Sequence, residues 1–188
     1  HVPDPDVVIA EMMRVVRPGG CVLLAEPDNV ATTASFYNTS VALEPEAMLE
    51  LMQLQLLCEQ GKRALGEGDG SVGAHLPRLL HEAGASDVRA YGSDKCAQQL
   101  PPYDVPDQAI DLREQLRFAG IGCWLQTGPR DDSLRHYRAG GGTPEAFERH
   151  WAVVERWLAE FERQVGAQQF SGARGVTVYV VGGRAPRS

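Results

Sequence analysis

The chain has 188 residues, 43% hydrophobic and 23% charged, proportions that fit a folded domain with a sizeable core and exclude a peptide, a repeat array or a disordered segment. Lys+Arg 18 against Asp+Glu 25 leaves a net charge of −7, which disfavours nucleic acid and anionic lipid surfaces as partners. Cys21, Cys58, Cys96 and Cys123 lie far apart with no CxxC or Cys/His pairing, so neither a metal site nor a disulfide scaffold is expected; with no apolar run near the roughly 20 residues that span a bilayer, a reducing cytoplasm is the simplest compartment.

The chain opens at His1 without an initiator Met and runs at once into helix signals, as a chain entered in mid-domain would. Asp4 can cap, Pro5 suits the first turn, and Arg14 and Arg17 lie toward the negative end, which predicts a helix from residue 5 to about 17. Val8, Met12 and Val15, flanked by Ile9, Met13 and Val16, give it a broad apolar face, and Pro18-Gly19-Gly20 stops it. Cys21 to Ala25 is a short continuous apolar run, read as a central parallel strand buried on both faces, with polar Glu26-Pro27-Asp28-Asn29 at its exit, the edge where open α/β sheets place ligands. A helix is expected from Pro45 to about Arg63, another from Val72 to Ala83, and a less buried strand from Asp87 to Gly92.

After Pro101-Pro102 comes a helix around Ile110, Leu112, Leu116 and Ala119, and Gly140-Gly141-Gly142 reads as a flexible joint. Thr143-Pro144 opens the clearest helix, with Phe147, Trp151, Val154, Leu158, Phe161 and Val165 on one stripe widened by Trp157. Val176 to Val181 closes the chain as a β-branched strand bounded by Gly175 and Gly182. The order helix, strand, helices, strand, helices, strand is α/β with a helical insertion. Sixteen Arg against two Lys suggests a high-GC bacterial source.

His1-Val2-Pro3-Asp4-Pro5, then Glu11-Met12-Met13-Arg14-Val15-Val16-Arg17-Pro18-Gly19-Gly20, then an apolar strand ending in Glu26-Pro27-Asp28, closely resembles the second half of class I S-adenosylmethionine-dependent methyltransferases. Leu76 to Tyr91 is similar to that family's last crossover helix and sixth strand, and the terminal strand to its seventh. The resemblance implies a partial Rossmann-like sheet of the last three strands, the C-terminal one antiparallel between the other two, with helical lid or insertion segments at about 30–65 and 97–168. It implies S-adenosylmethionine as cofactor and methyl transfer to a small molecule in the intact protein. The family's Gly-rich turn after its first strand has no counterpart here, because neither Gly140-Gly141-Gly142 nor Gly182-Gly183 sits between a strand and a helix, so this chain alone is expected to bind the cofactor weakly or not at all.

By the same resemblance His1 lies on the rim facing the transferred methyl, where an imidazole suits general base work. Glu26 and Asp28, at the strand exit, are candidates for substrate contact; Tyr37, Tyr103, Phe118 and Trp124 lie in the segments such enzymes use as a lid. His75, His81, His136 and His150 show no ligand spacing and are expected on solvated helix faces. The alternative function is a catalytically incompetent half-domain serving as a dimerisation or interaction module. Either way an open edge on the strand Cys21 to Glu26 predicts a homodimer.

Overall fold

The computed structural model describes residues 2–93, 96–124 and 126–187. In chain order the elements are α1 (Pro5–Val15), β1 (Cys21–Pro27), α2 (Asn29–Thr33), α3 (Pro45–Ala64), α4 (Leu76–Glu82), β2 (Ser86–Gly92), β3 (Ala97–Gln99), α5 (Pro106–Gly120), β4 (Cys123–Trp124), β5 (Gly128–Pro129), α6 (Arg130–Ala139), α7 (Pro144–Gly166), β6 (Gly172–Arg174) and β7 (Val178–Arg184). Short 3-10 turns cover Ala34–Asn38 and Val72–His75. The architecture is mixed α/β with small antiparallel sheets, and the chain divides into two compact units. One comprises His1–Asn29, Gly66–Asp94 and Val176–Ser188, the other Val30–Leu65 and Lys95–Gly175.

The first unit holds a three-stranded sheet in the order β1-β7-β2, with β7 antiparallel to both neighbours, so that β1 and β2 run the same way. This matches the expected insertion of the last strand between the other two. Side chains alternate across a strand, and Val22 and Val181 face a cluster of Ile9, Leu76, Leu79, Leu80 and Ala85 from α1, α4 and the turn after α4. The opposite face carries Leu23 and Tyr91, 69% and 63% exposed. The reading of residues 21–25 as a central parallel strand buried on both faces is therefore corrected: β1 is an outer strand of this sheet, and only its even-numbered side chains find helices to pack on.

Bond parity shows which backbone groups β1 leaves over. Gly20 accepts from the Ala185 N–H at 2.9 Å, and the Asp28 N–H donates to the Thr177 carbonyl at 2.8 Å, so even-numbered residues bond toward β7. In an antiparallel ladder the intervening residues aim the other way, which turns the N–H and C=O groups of Cys21, Leu23 and Ala25 toward the free edge.

Several local expectations change in detail. α1 ends at Val15 rather than Arg17, because Arg17-Pro18-Gly19-Gly20 forms a turn with Gly19 at φ 72° and the Gly20 N–H bonded to the Arg17 carbonyl at 2.8 Å. Asp4 stands at the N-cap position, but its side chain makes no capping bond. The buried stripe of α1 is narrower than its sequence suggests: Ile9 is buried, while Met12 and Val15 are exposed. β7 runs through Gly182 and Gly183 instead of stopping at them. At Gly183 a Cβ would come within 2.9 Å of the Ala85 side chain, so the glycine permits close approach inside the strand.

The second unit is mainly helical and has its own core. Phe36, Trp124, Trp157, Phe161 and Phe170 interlock, with the Phe36 and Trp124 ring centroids 4.4 Å apart and Trp157 stacked on Phe161 at 5.2 Å. α7 starts as its sequence indicates, Thr143 Oγ1 accepting from the Ala146 N–H at 3.3 Å and Pro144 in the first turn. Gly140-Gly141-Gly142 is not a flexible joint. A Cβ on Gly140 would strike the Leu57 carbonyl and one on Gly61 the His136 carbonyl, so these two glycines let α3 and the end of α6 touch backbone to backbone, while Gly142 makes room for the Tyr137 ring.

Candidate functional site

The exit of β1 is built from backbone. The Asp28 N–H is tied to β7, the Asn29 N–H donates to the Gly70 carbonyl at 3.1 Å, and Asp69 Oδ1 accepts from the Ser71 N–H at 2.8 Å to close the turn leading into Val72–His75. That turn lies so close to β1 that a Cβ on Gly73 would come within 2.5 Å of the Glu26 carbonyl and 2.8 Å of the Pro27 carbonyl. Glycine at 73 is what lets the two segments meet.

Beside this junction the first unit holds a cleft of about 140 Å³. Ile9 and Met12 of α1, Leu24 of β1, and Val72 and Leu76 supply apolar walls, and the polar side chains among the described lining residues are Glu26 and Asp69. Asp69 is engaged in its own turn. Glu26 is half-buried, and no hydrogen bond or ion pair joins its carboxylate to another described residue.

The expected site residues fall in different settings. Glu26 lines the cleft, and Asp28 follows it at the strand exit with a half-buried side chain. His1 lies outside the described residues. The other three belong to the second unit. Tyr37 is half exposed on the 3-10 turn Ala34–Asn38. Tyr103 has φ 60°, donates its hydroxyl to the Phe170 carbonyl at 2.8 Å, and has its phenol pKa raised by burial. Trp124 is 1% exposed and packed between Phe36 and Trp157, a core position.

Two histidines depart from expectation. His75 and His81 are exposed, whereas His136 and His150 are buried. His150 presents Nδ1 to the Glu50 carboxylate, and its Nε2 has no hydrogen-bond partner among the described residues. Its place on the stripe between Phe147 and Val154 is the signal that could have revealed it. Nearby on α3 a buried chain runs from Gln55 Nε2 to Glu59 Oε1 at 2.8 Å and from Lys62 Nζ to the same oxygen at 3.2 Å. Burial pushes the Cys58 thiol up to about 12, against a smaller opposing pull from Lys62, which makes it an inert core group and not a nucleophile. Among the described residues no group of three or more His, Cys, Asp or Glu is placed to hold a metal, and no helix is long and apolar enough to cross a membrane.

No family model and no curated protein matches the sequence. S-adenosylmethionine, the cofactor implied by the resemblance, does not fit this cleft. The cleft is well below the roughly 300–1,000 Å³ of sites that enclose molecules of that size. The close-approach glycines Gly61, Gly73 and Gly140 meet the chain's own backbone and leave no cradle for a ligand.

Proposed function

We propose that these residues belong to the catalytic domain of a class I S-adenosylmethionine-dependent methyltransferase acting on a small molecule. In this reading they form the substrate side of the domain and its helical insertion, and the cofactor is gripped by residues outside this chain. The observation that carries the reading is the position of β7, antiparallel between two strands that run the same way. A last strand inserted in this manner is unusual for a parallel α/β sheet and is what the motif from His1 to Asp28 implies. The Pro18-Gly19-Gly20 turn and the polar exit of β1 agree with it.

The test is calorimetric titration of S-adenosylmethionine into two samples, this chain and the product of the whole reading frame that contains it. Micromolar affinity for the longer product, with weak or absent binding to this chain, is the expected result. Failure of the longer product to bind would end the methyltransferase reading.

A second reading, self-association as an interaction module, has one observation in its favour: the unpaired edge of β1 beside exposed Leu23. The two readings diverge at the amides of Cys21, Leu23 and Ala25. Protection from hydrogen exchange in a monomeric longer product favours the methyltransferase, in which a further strand covers that edge. Protection that rises with concentration in step with a sedimenting dimer favours the module.

A further inference from the structure

We propose that the cleft between α1, β1 and the turn at Val72 binds a small organic cation, an alkylammonium whose chain lies on the apolar walls and whose nitrogen meets Glu26. The walls are Ile9, Met12, Leu24, Val72 and Leu76, and among the described residues the lining contains no Lys or Arg. An apolar lining selects for hydrocarbon, and a carboxylate left without a partner in it selects for positive charge over neutral or negative groups. Glu26 is such a group, because the neighbouring Asp69 already accepts from the Ser71 N–H while Glu26 has no partner among the described residues. Size points the same way: at about 140 Å³ the cleft is well below the roughly 300–1,000 Å³ of sites that enclose drug-sized molecules, which suits a short alkyl chain. The chain's net charge of −7 favours the approach of a cation.

This binding does not depend on the methyltransferase reading and needs no cofactor.

The experiment uses three probes of one shape, n-butylammonium, n-butanol and butyrate, titrated into the full chain while methyl resonances of Ile9, Leu24 and Val72 are followed by NMR. Butylammonium should bind with a Kd on the order of millimolar, as five non-hydrogen atoms allow, and about tenfold more tightly than butanol. Butyrate should not bind. Glu26→Gln should bring butylammonium down to the level of butanol, and unchanged butanol binding by that variant shows that the cleft is intact. If Glu26→Gln disturbs butanol binding, Glu26→Asp serves in its place and should keep the preference for butylammonium over butyrate. Equal binding of butyrate, an unaltered butylammonium affinity in Glu26→Gln, or no response at the three methyl positions would each overturn the proposal. None of these results bears on cofactor binding by the longer product, so the two proposals fail separately.

Discussion

The helical unit closes its aromatic side chains on one another, whereas the sheet unit buries only one side of its sheet and leaves Leu23 and Tyr91 in solvent. The first has the density of contacts that makes a core costly to disturb. The second has a smaller cluster, an outer strand that turns the backbone groups of three residues to its free edge, and an opposite face on which Leu23 and Tyr91 stay exposed. Burial of apolar area is the main favourable term in folding. The larger core and the candidate cleft therefore lie in different units. The unit that holds the candidate cleft is the one with less packing to spare.

That contrast can be broken most severely in the aromatic core. Trp157→Ala removes the ring that contacts Phe36, Trp124, Phe161 and Phe170, and a loss of about 3–5 kcal/mol is expected in urea unfolding. Next comes Gly61→Ala, which sets a methyl against the His136 carbonyl. Backbone cannot move aside as a side chain does, so a cost of about 1–3 kcal/mol is expected, seen as a lower urea midpoint at unchanged slope.

A pH effect in the same unit follows from Cys58. Its folded-state pKa of about 12 stands above the ordinary thiol value of 9.0, so the unfolded chain loses this proton first. Stability from this group is complete below pH 9.0 and declines as pH rises toward about 12, by about 1.4 kcal/mol per pH unit. Urea midpoints of the parent and of Cys58→Ala, measured from pH 8 to about 10.5, should converge as pH rises. Parallel curves would show that the thiol titrates normally.

The smallest effects belong to exposed groups. Leu23→Thr should leave unfolding within about 0.5 kcal/mol of the parent, since the side chain is 69% exposed. Glu160 is held down to about 2 by hydrogen bonds from Arg163 and then Gln164, so it stays ionised as pH falls until that value is approached. NMR titration of its carboxyl should show the depression, yet Glu160→Gln should leave the urea midpoint at neutral pH within error, because the Arg163–Glu160 pair is solvent-exposed.

Which elements could be read from the residues depends on what each one buries. α7 was legible because its buried face is built of large apolar side chains behind a Thr-Pro start. α6 was not, since the side chains it buries are Ser133, His136 and Tyr137 in a strongly polar segment; its acidic first turn at Asp131-Asp132 and basic last turn were the available signal. β3, β4, β5 and β6 are two or three residues long, too short for any periodicity. At the site, Glu26 was visible as the polar exit of an apolar strand. The cleft beside it was not, for its walls come from residues between 2 and 76 that only the fold assembles. Glu50 and His150 were hidden for the same reason, standing a hundred positions apart.

The backbone contact between α3 and α6 has a dynamic consequence. Where α3 meets the end of α6 at Gly61 and Gly140, backbone lies on backbone, with no side chain at those two positions to repack after a partial separation. Water can reach the amides there only if the pair comes apart as a whole. In native-state hydrogen exchange, the slowest amides of α3 and α6 should thus open in a single cooperative event with one free energy and one denaturant dependence, a single foldon spanning two helices far apart in the chain.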